Sequence, residues 1–107
     1  MILDDIVAKK KLDIREKKAQ LSIEDMLDVL KVSFMPIRNM QIALSSHRGG
    51  MAIIGELKKA SPSKGVLRAD FDPIKLAKDY EDGDIAALSI HTEKHFFHGR
   101  DEYIHMV

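Results

Sequence analysis

The sequence predicts an α/β fold in which short buried strands of a parallel sheet are joined by a helix. Two continuous apolar runs, at residues 51–55 and 85–90, are typical of strands covered on both faces. A helical pattern at residues 73–82 lies between them, so strand, helix and strand predict one right-handed βαβ unit. Residues 1–50 carry helical patterns alone, and we therefore expect a helical segment at 1–50 and an α/β segment at 51–107.

Composition and charge restrict the classes of partner. The 107 residues include 17 basic and 17 acidic side chains, so no overall field attracts nucleic acid or an anionic membrane, and any anion is bound locally. The chain has no cysteine, which excludes disulfides and thiolate metal sites. No apolar run approaches the ~20 residues of a membrane span, and Asp4 and Asp5 come too early for a secretory segment. These features predict a cytoplasmic protein.

The helical segment contains three predicted helices. Apolar residues at helical spacing predict an amphipathic helix over residues 2–18. Ser22 followed by Asp25 resembles a capping box and predicts a second helix that ends near Val32. Pro36 suits the first turn of a short third helix.

Two further helix starts are predicted in the α/β segment. Asp72 is an N-cap residue with Pro73 at the first helical position, and Gly83 ends that helix. Asp101 resembles another N-cap, after a loop that follows the second strand.

Glu56 and Lys58 are the strongest candidates for chemistry. Side chains alternate along a strand, so these two share one face at the carboxyl end of the first strand. Ligands of parallel α/β folds bind at the carboxyl ends of strands, which favours catalysis or substrate anchoring. An internal salt bridge without a further role is the alternative.

The loop Ser61-Pro62-Ser63-Lys64-Gly65 follows this strand and has the composition of an anion site. It offers two hydroxyls, a cation and backbone N–H groups near a glycine, but neither a Walker nor a dinucleotide motif. The same residues also suit an ordinary surface turn.

Histidines and phenylalanines cluster after the second strand. His91, His95 and His98 are close in sequence, but no helix aligns them and no cysteine assists, so we expect no metal site. Phe96 and Phe97 either form one wall of an apolar pocket or close the top of the core.

Taken in order, these motifs resemble the N-terminal portion of the indole-3-glycerol phosphate synthase family. The resemblance covers essentially the whole chain and is most specific at residues 54–65 and 92–99. It implies a (β/α)8 TIM barrel and a carboxy-lyase of tryptophan biosynthesis that uses no cofactor or metal. The implied reaction closes the indole ring of a phosphate-bearing substrate, 1-(2-carboxyphenylamino)-1-deoxyribulose 5-phosphate, with loss of carbon dioxide and water.

The resemblance also assigns residues to roles. Glu56 and Lys58 match the catalytic acid and lysine of the first strand. The expected substrate-binding residues are Ser61, Ser63, Ser89 and Phe97. The family usually has an aliphatic residue where this chain has His91, so the apolar pocket is more polar here.

The chain is too short to form a complete barrel of this family. A TIM barrel needs roughly 250 residues, so we expect an incomplete barrel: the helical extension, strands 1 and 2, helix 1 and the start of helix 2. The third-strand lysine and the phosphate-binding loops of the family would lie beyond Val107. We therefore expect the isolated chain to be inactive. The alternative is a non-catalytic α/β module that forms a homo-oligomer through unpaired strand edges.

Overall fold

The computed structural model describes residues 1–33 and 35–107. It divides into two compact units, Met1–Ile37 and Arg38–Val107. The predicted division into a helical segment, 1–50, and an α/β segment, 51–107, stays a prediction. Within the described residues, no helix combines the length and apolar content that crossing a membrane requires.

The first unit contains helices α1 (Ile2–Gln20) and α2 (Ile23–Lys31). Helix α1 continues two residues past the predicted end. The Ser22 Oγ atom accepts a hydrogen bond from the Asp25 backbone N–H at 3.1 Å, which confirms the predicted cap of α2. The apolar side chains of α2 remain about half exposed.

Helix α3 (Met40–Ser45) begins later than the sequence predicts. The prediction that Pro36 occupies its first turn is wrong. The Asn39 side-chain oxygen accepts a hydrogen bond from the Ile42 N–H at 3.0 Å, so Asn39 is the N-cap and fixes the start.

A two-stranded parallel sheet is the centre of the second unit. Strand β1 (Ile54–Leu57) pairs with β4 (Ala87–Ile90), and Glu56 lies opposite Ser89. Helix α4 (Pro73–Asp82) connects them, and Asp72 caps it by accepting a hydrogen bond from the Lys75 N–H at 3.1 Å. The predicted strand, helix, strand order is confirmed: the chain is α/β with a short parallel sheet, and its described residues form no closed barrel.

The predicted loop after β1 contains a small antiparallel hairpin. Strands β2 (Ala60–Ser61) and β3 (Gly65–Val66) pair across the turn. Gly65 has a φ of +66°, in the left-handed region that glycine tolerates best. The residues whose composition suits either an anion site or an ordinary surface turn thus connect the two strands of a hairpin.

Burial of β1 differs between its two faces. Gly55 and Leu57 are buried, and the Tyr80 ring of α4 lies directly against Gly55. Ile54 is 48% exposed and Glu56 is also exposed. The prediction that this strand is covered on both faces is wrong, because α4 covers only the Gly55 and Leu57 face.

Helix α5 (Glu102–Met106) ends the chain's second unit. Asp101 occupies the predicted N-cap position, although its side chain makes no capping hydrogen bond. Tyr103 is 7% exposed and packs against Phe71 with ring centroids 5.4 Å apart. Among the described residues, the buried apolar side chains are those of Leu57, Ala60 and Tyr103. Since Leu57 is on the face of β1 that α4 covers, the core lies on that side of the sheet.

Candidate active site at the carboxyl ends of β1 and β4

Glu56 is the centre of a polar cluster on the exposed face of the sheet. One carboxylate oxygen, Oε2, lies 3.7 Å from Lys58 Nζ. The other, Oε1, makes a hydrogen bond with His91 Nε2. An ionised carboxylate only accepts hydrogen bonds, so His91 is the donor. The predicted pair of Glu56 and Lys58 is brought together, and His91 is an additional partner.

His91 follows directly after β4 and is held from two sides. Its backbone N–H donates to the Leu57 carbonyl oxygen at 3.1 Å, which continues the parallel pairing past the end of the strands. Its imidazole stacks on the Phe97 ring, with centroids 4.8 Å apart and planes 30° apart. The ring is three-quarters buried, so its orientation is set by packing as well as by Glu56.

These contacts lower the pKa of Glu56. The hydrogen bond from His91 is the main cause, because it stabilises the charged carboxylate. Partial burial opposes it, and the electrostatic interactions with His91 and Lys58 act in the same direction as the hydrogen bond. Since the Glu56 side chain is 45% exposed, water screens part of this effect. Glu56 is therefore an ionised acceptor at neutral pH.

The Glu93 carboxylate holds the backbone of the loop at residues 93–99, which follows His91. Oε1 accepts a hydrogen bond from the His95 N–H at 2.8 Å, and Oε2 accepts from Phe96 at 2.7 Å and Phe97 at 3.1 Å. Burial raises the pKa of Glu93 and is the largest single influence on it. Hydrogen bonds from the three backbone N–H groups and the electrostatic interaction with His95 together outweigh burial, and the pKa lies below its ordinary value.

Gly99 closes this loop back onto the end of β4. Its backbone N–H donates to the Glu93 carbonyl oxygen at 2.8 Å. A Cβ at position 99 would lie 2.1 Å from the His91 carbonyl oxygen, closer than any side chain permits. Glycine is required because two backbone segments touch here.

The other predicted site residues fall in two places. Ser89 is exposed and pairs in register with Glu56, so both side chains face the same side of the sheet. Phe97 reaches the same strand end through its stacking on His91. Ser61 and Ser63 lie in the neighbouring hairpin, where Ser61 Oγ accepts a hydrogen bond from the Lys64 N–H at 3.3 Å.

Sequence reasoning did not predict the contact between His91 and Glu56. From the sequence, His91 is either one of three histidines considered as metal ligands or a polar residue in the apolar pocket. A signal was present, since both residues lie at the carboxyl ends of the two apolar runs predicted to pair in parallel. The loop-organising role of Glu93 and the close approach at Gly99 were also missed.

The arrangement combines an ionised acceptor, an ammonium group and an imidazole at one sheet edge. Such groups can bind an anionic substrate and exchange protons with it. A model of the indole-3-glycerol phosphate synthase family matches residues 3–107. The chain belongs to this family.

Individual members of the indole-3-glycerol phosphate synthase family align with the entire chain. The synthase of Clostridium acetobutylicum is 49% identical over 107 residues, which are 40% of its own length. That of Thermoanaerobacter pseudethanolicus is 45% identical over 107 residues, again 40% of its length. That of Campylobacter jejuni subsp. doylei is 46% identical over 109 aligned positions, 42% of its length. The chain thus spans about 40% of the curated relatives it matches.

The predicted resemblance to this synthase family is confirmed. Its fold is the TIM barrel, and its members are lyases of tryptophan biosynthesis. In this chain the family match includes every residue of the polar cluster around Glu56.

Proposed function

We propose that these residues form the first part of an active site that closes the indole ring of 1-(2-carboxyphenylamino)-1-deoxyribulose 5-phosphate. The supporting observation is the Glu56 and Lys58 pair, exposed at the carboxyl ends of parallel strands in a member of the synthase family. Residues 51–107 would be the first two βα units of a (β/α)8 barrel. Residues 1–50 would be the helical extension that precedes it.

Two residues have proposed roles in proton transfer. Ring closure with loss of water needs a group that gives a proton to a departing hydroxyl and a group that takes one back. The ionised Glu56 carboxylate suits the accepting role. Lys58, 34% exposed beside it, offers an ammonium group to the substrate anion and a proton to the reacting centre. No cofactor or metal enters this proposal.

The remaining predicted residues would bind substrate around that pair. Ser89 shares the exposed face with Glu56, and Phe97 offers an aromatic surface at the same strand end. Ser61 and Ser63 present hydroxyls in the hairpin that begins two residues after Lys58. Together these side chains suit a ligand with one aromatic end and several oxygens.

A chimeric synthase tests this function. The 107 residues replace the matching segment of the Clostridium acetobutylicum relative, and indole formation is followed by fluorescence. We expect activity in the chimera. Glu56→Gln and Lys58→Met should each lower kcat/KM by roughly 10²- to 10⁴-fold.

Lys59→Met is the matched control, because it makes the same chemical change one residue further along the chain. Its kcat/KM should remain within a few-fold of that of the parent chimera. An equal loss from Lys58→Met and Lys59→Met would contradict the assigned role of Lys58. An inactive parent chimera would contradict the proposed function itself.

The same proposal predicts that the 107-residue chain alone does not turn over substrate. Two strands supply only part of a site that, in the family, is assembled from the whole barrel. Purified chain is incubated with the substrate over many hours, and indole product is measured. Ring closure above the uncatalysed rate would refute the proposal of an incomplete site.

A second candidate function is self-assembly through strand edges. In the described residues, 1–33 and 35–107, β1 and β4 pair only with each other, so each keeps an outer edge without a strand partner, although the Glu56 carbonyl oxygen in β1 accepts a hydrogen bond from Tyr80. Such edges favour pairing with another copy. Light scattering over a range of concentrations distinguishes a monomer, which counts against this candidate, from a dimer or larger assembly.

A further inference from the structure

We propose that His91 is a positioning residue that fixes the Glu56 carboxylate in one orientation on the exposed face of the sheet. The inference rests on the proposed function for its consequence in catalysis. Its structural part, that His91 orients and stabilises the ionised Glu56, stands on the contacts of the two side chains.

The two carboxylate oxygens of Glu56 have different partners. His91 Nε2 donates to Oε1, whereas Lys58 Nζ lies 3.7 Å from Oε2. The distance from Lys58 Nζ to Oε2 is within the range of an ion pair but longer than a hydrogen bond. Lys58 therefore leaves the orientation of the carboxylate loosely defined. The hydrogen bond from His91 therefore determines which oxygen faces Lys58 and the space above the sheet.

His91 suits this role because its ring has little freedom. Its backbone is paired with Leu57, and its imidazole stacks on Phe97. Phe97 is fixed in turn by the hydrogen bond from its N–H to Glu93. A donor whose backbone and ring are both held in place orients a carboxylate more precisely than the ammonium group of Lys58, which lies at the end of a flexible four-carbon chain.

The alternative role for His91 is packing alone, with its ring as a spacer beneath Phe97. Leucine has a similar size and no hydrogen-bond donor, so His91→Leu keeps apolar bulk beside Phe97 but removes both the hydrogen bond and the ring stacking. Glutamine restores an N–H donor at similar reach without the aromatic ring. Glu56 contacts the ring directly, Lys58 pairs with Glu56, and Glu93 binds the backbone of the loop that carries Phe97; all three stay unchanged in these variants.

Carbon-13 carboxyl titration of the 107-residue chain tests the structural part. In His91→Leu the pKa of Glu56 should rise toward its ordinary value, and in His91→Gln it should lie between the two. His105→Leu is the matched control, since His105 is exposed in α5, and there the titration of Glu56 should match that of the parent. An unchanged Glu56 titration in His91→Leu would overturn the proposal.

A second measurement needs no variant at His91. Long-range nitrogen-15 spectra of the parent chain at neutral pH should place a proton on His91 Nε2, and Glu56→Gln should change the chemical shift of that nitrogen. An Nε2 without a proton would also overturn the proposal, because it could not donate to an ionised Glu56.

Kinetics in the chimeric synthase test the catalytic consequence. His91→Leu should lower kcat roughly 10- to 100-fold with a smaller change in KM. It should also move the acidic limb of the pH profile of kcat/KM to higher pH, and His91→Gln should recover part of both. A raised Glu56 pKa with unchanged kcat would overturn a positioning role in catalysis. An inactive parent chimera would instead refute the proposed function, while the titration decides separately on the contact.

Discussion

Tyr80 in α4 donates its hydroxyl to the backbone carbonyl oxygen of Glu56 in β1, at a distance of 3.2 Å. The helix on the covered side of the sheet thereby bonds to the residue whose side chain lies on the exposed side. The Tyr80 ring also packs against Gly55, the preceding residue of the strand. Position 80 thus links the packing of α4 to the location of the candidate catalytic carboxylate.

Tyr80→Phe should reduce the free energy of unfolding by about 0.5–1.5 kcal/mol, since it removes one hydrogen bond and keeps the ring. Urea denaturation followed by circular dichroism measures the change. Tyr80→Leu should cost more, because it also removes the ring that packs against Gly55. Equal stability of the parent and the Phe variant would show that the hydroxyl contributes nothing.

Gly99→Ala should destabilise the second unit by about 1–3 kcal/mol or more, because the added methyl group overlaps the His91 carbonyl oxygen. Gly49→Ala is the control, since its nearest neighbours are His47 side-chain atoms at 3.5 and 3.6 Å. Denaturation curves give the stabilities, and ring-current shifts of Phe97 report whether its stacking survives. Similar losses at both positions would contradict the close approach at Gly99.

The loop at residues 93–99 should loosen in acid. The pKa of Glu93 is lowered in the folded chain: burial raises it, but the three backbone N–H donors and the interaction with His95 together outweigh burial. A lowered pKa means that the carboxylate contributes stability above its unfolded pKa and loses it as pH falls through the folded one. Hydrogen-exchange protection of the amides of residues 95–97 should therefore decrease below the ordinary pKa of a glutamate.

Glu93→Gln should reproduce this loss of protection at neutral pH, because a neutral amide oxygen accepts N–H groups less strongly than a carboxylate. Glu102→Gln is the matched control, since that side chain is 65% exposed and pairs with Arg100 at 3.6 Å. Protection at residues 95–97 that ignores both pH and Glu93→Gln would contradict the role assigned to this carboxylate.

Asp72→Ala should cost about 1 kcal/mol of stability, because the Lys75 N–H at the start of α4 loses its acceptor. Asp72→Asn keeps a capping oxygen and should cost a few tenths of that amount. Thermal unfolding of the three chains measures the differences. A loss in Asp72→Asn as large as in Asp72→Ala would indicate a role for the charge rather than for the cap.

Local chemistry explains which parts of the fold could be predicted from the sequence. The caps at Ser22 and Asp72 depend on residues within three positions along the chain, and both were predicted correctly. Pro36 was misjudged because Asn39, a stronger start signal, lies three residues later. The parallel pairing of β1 and β4 followed from two apolar runs joined by a helix.

Contacts between distant residues explain what the sequence did not predict. His91 and Glu56 are 35 positions apart, and their contact depends on the register of the sheet and the course of the loop after β4. The exposure of Ile54 was missed for a similar reason, because an apolar run does not reveal how many of its faces are covered. Glu56 and Lys58 could be predicted as a pair because strand alternation alone puts them on one face.

The two faces of β1 divide one short segment into two sets of positions with different consequences for substitution. Exchanges at Gly55 and Leu57 change how the strand packs on α4 and so affect whether the chain folds. Exchanges at Ile54 and Glu56, on the exposed face, change the surface offered to a ligand with little effect on that packing. Varying Ile54 while Glu56 is kept can therefore change the surface beside the candidate catalytic carboxylate without altering how β1 packs on α4.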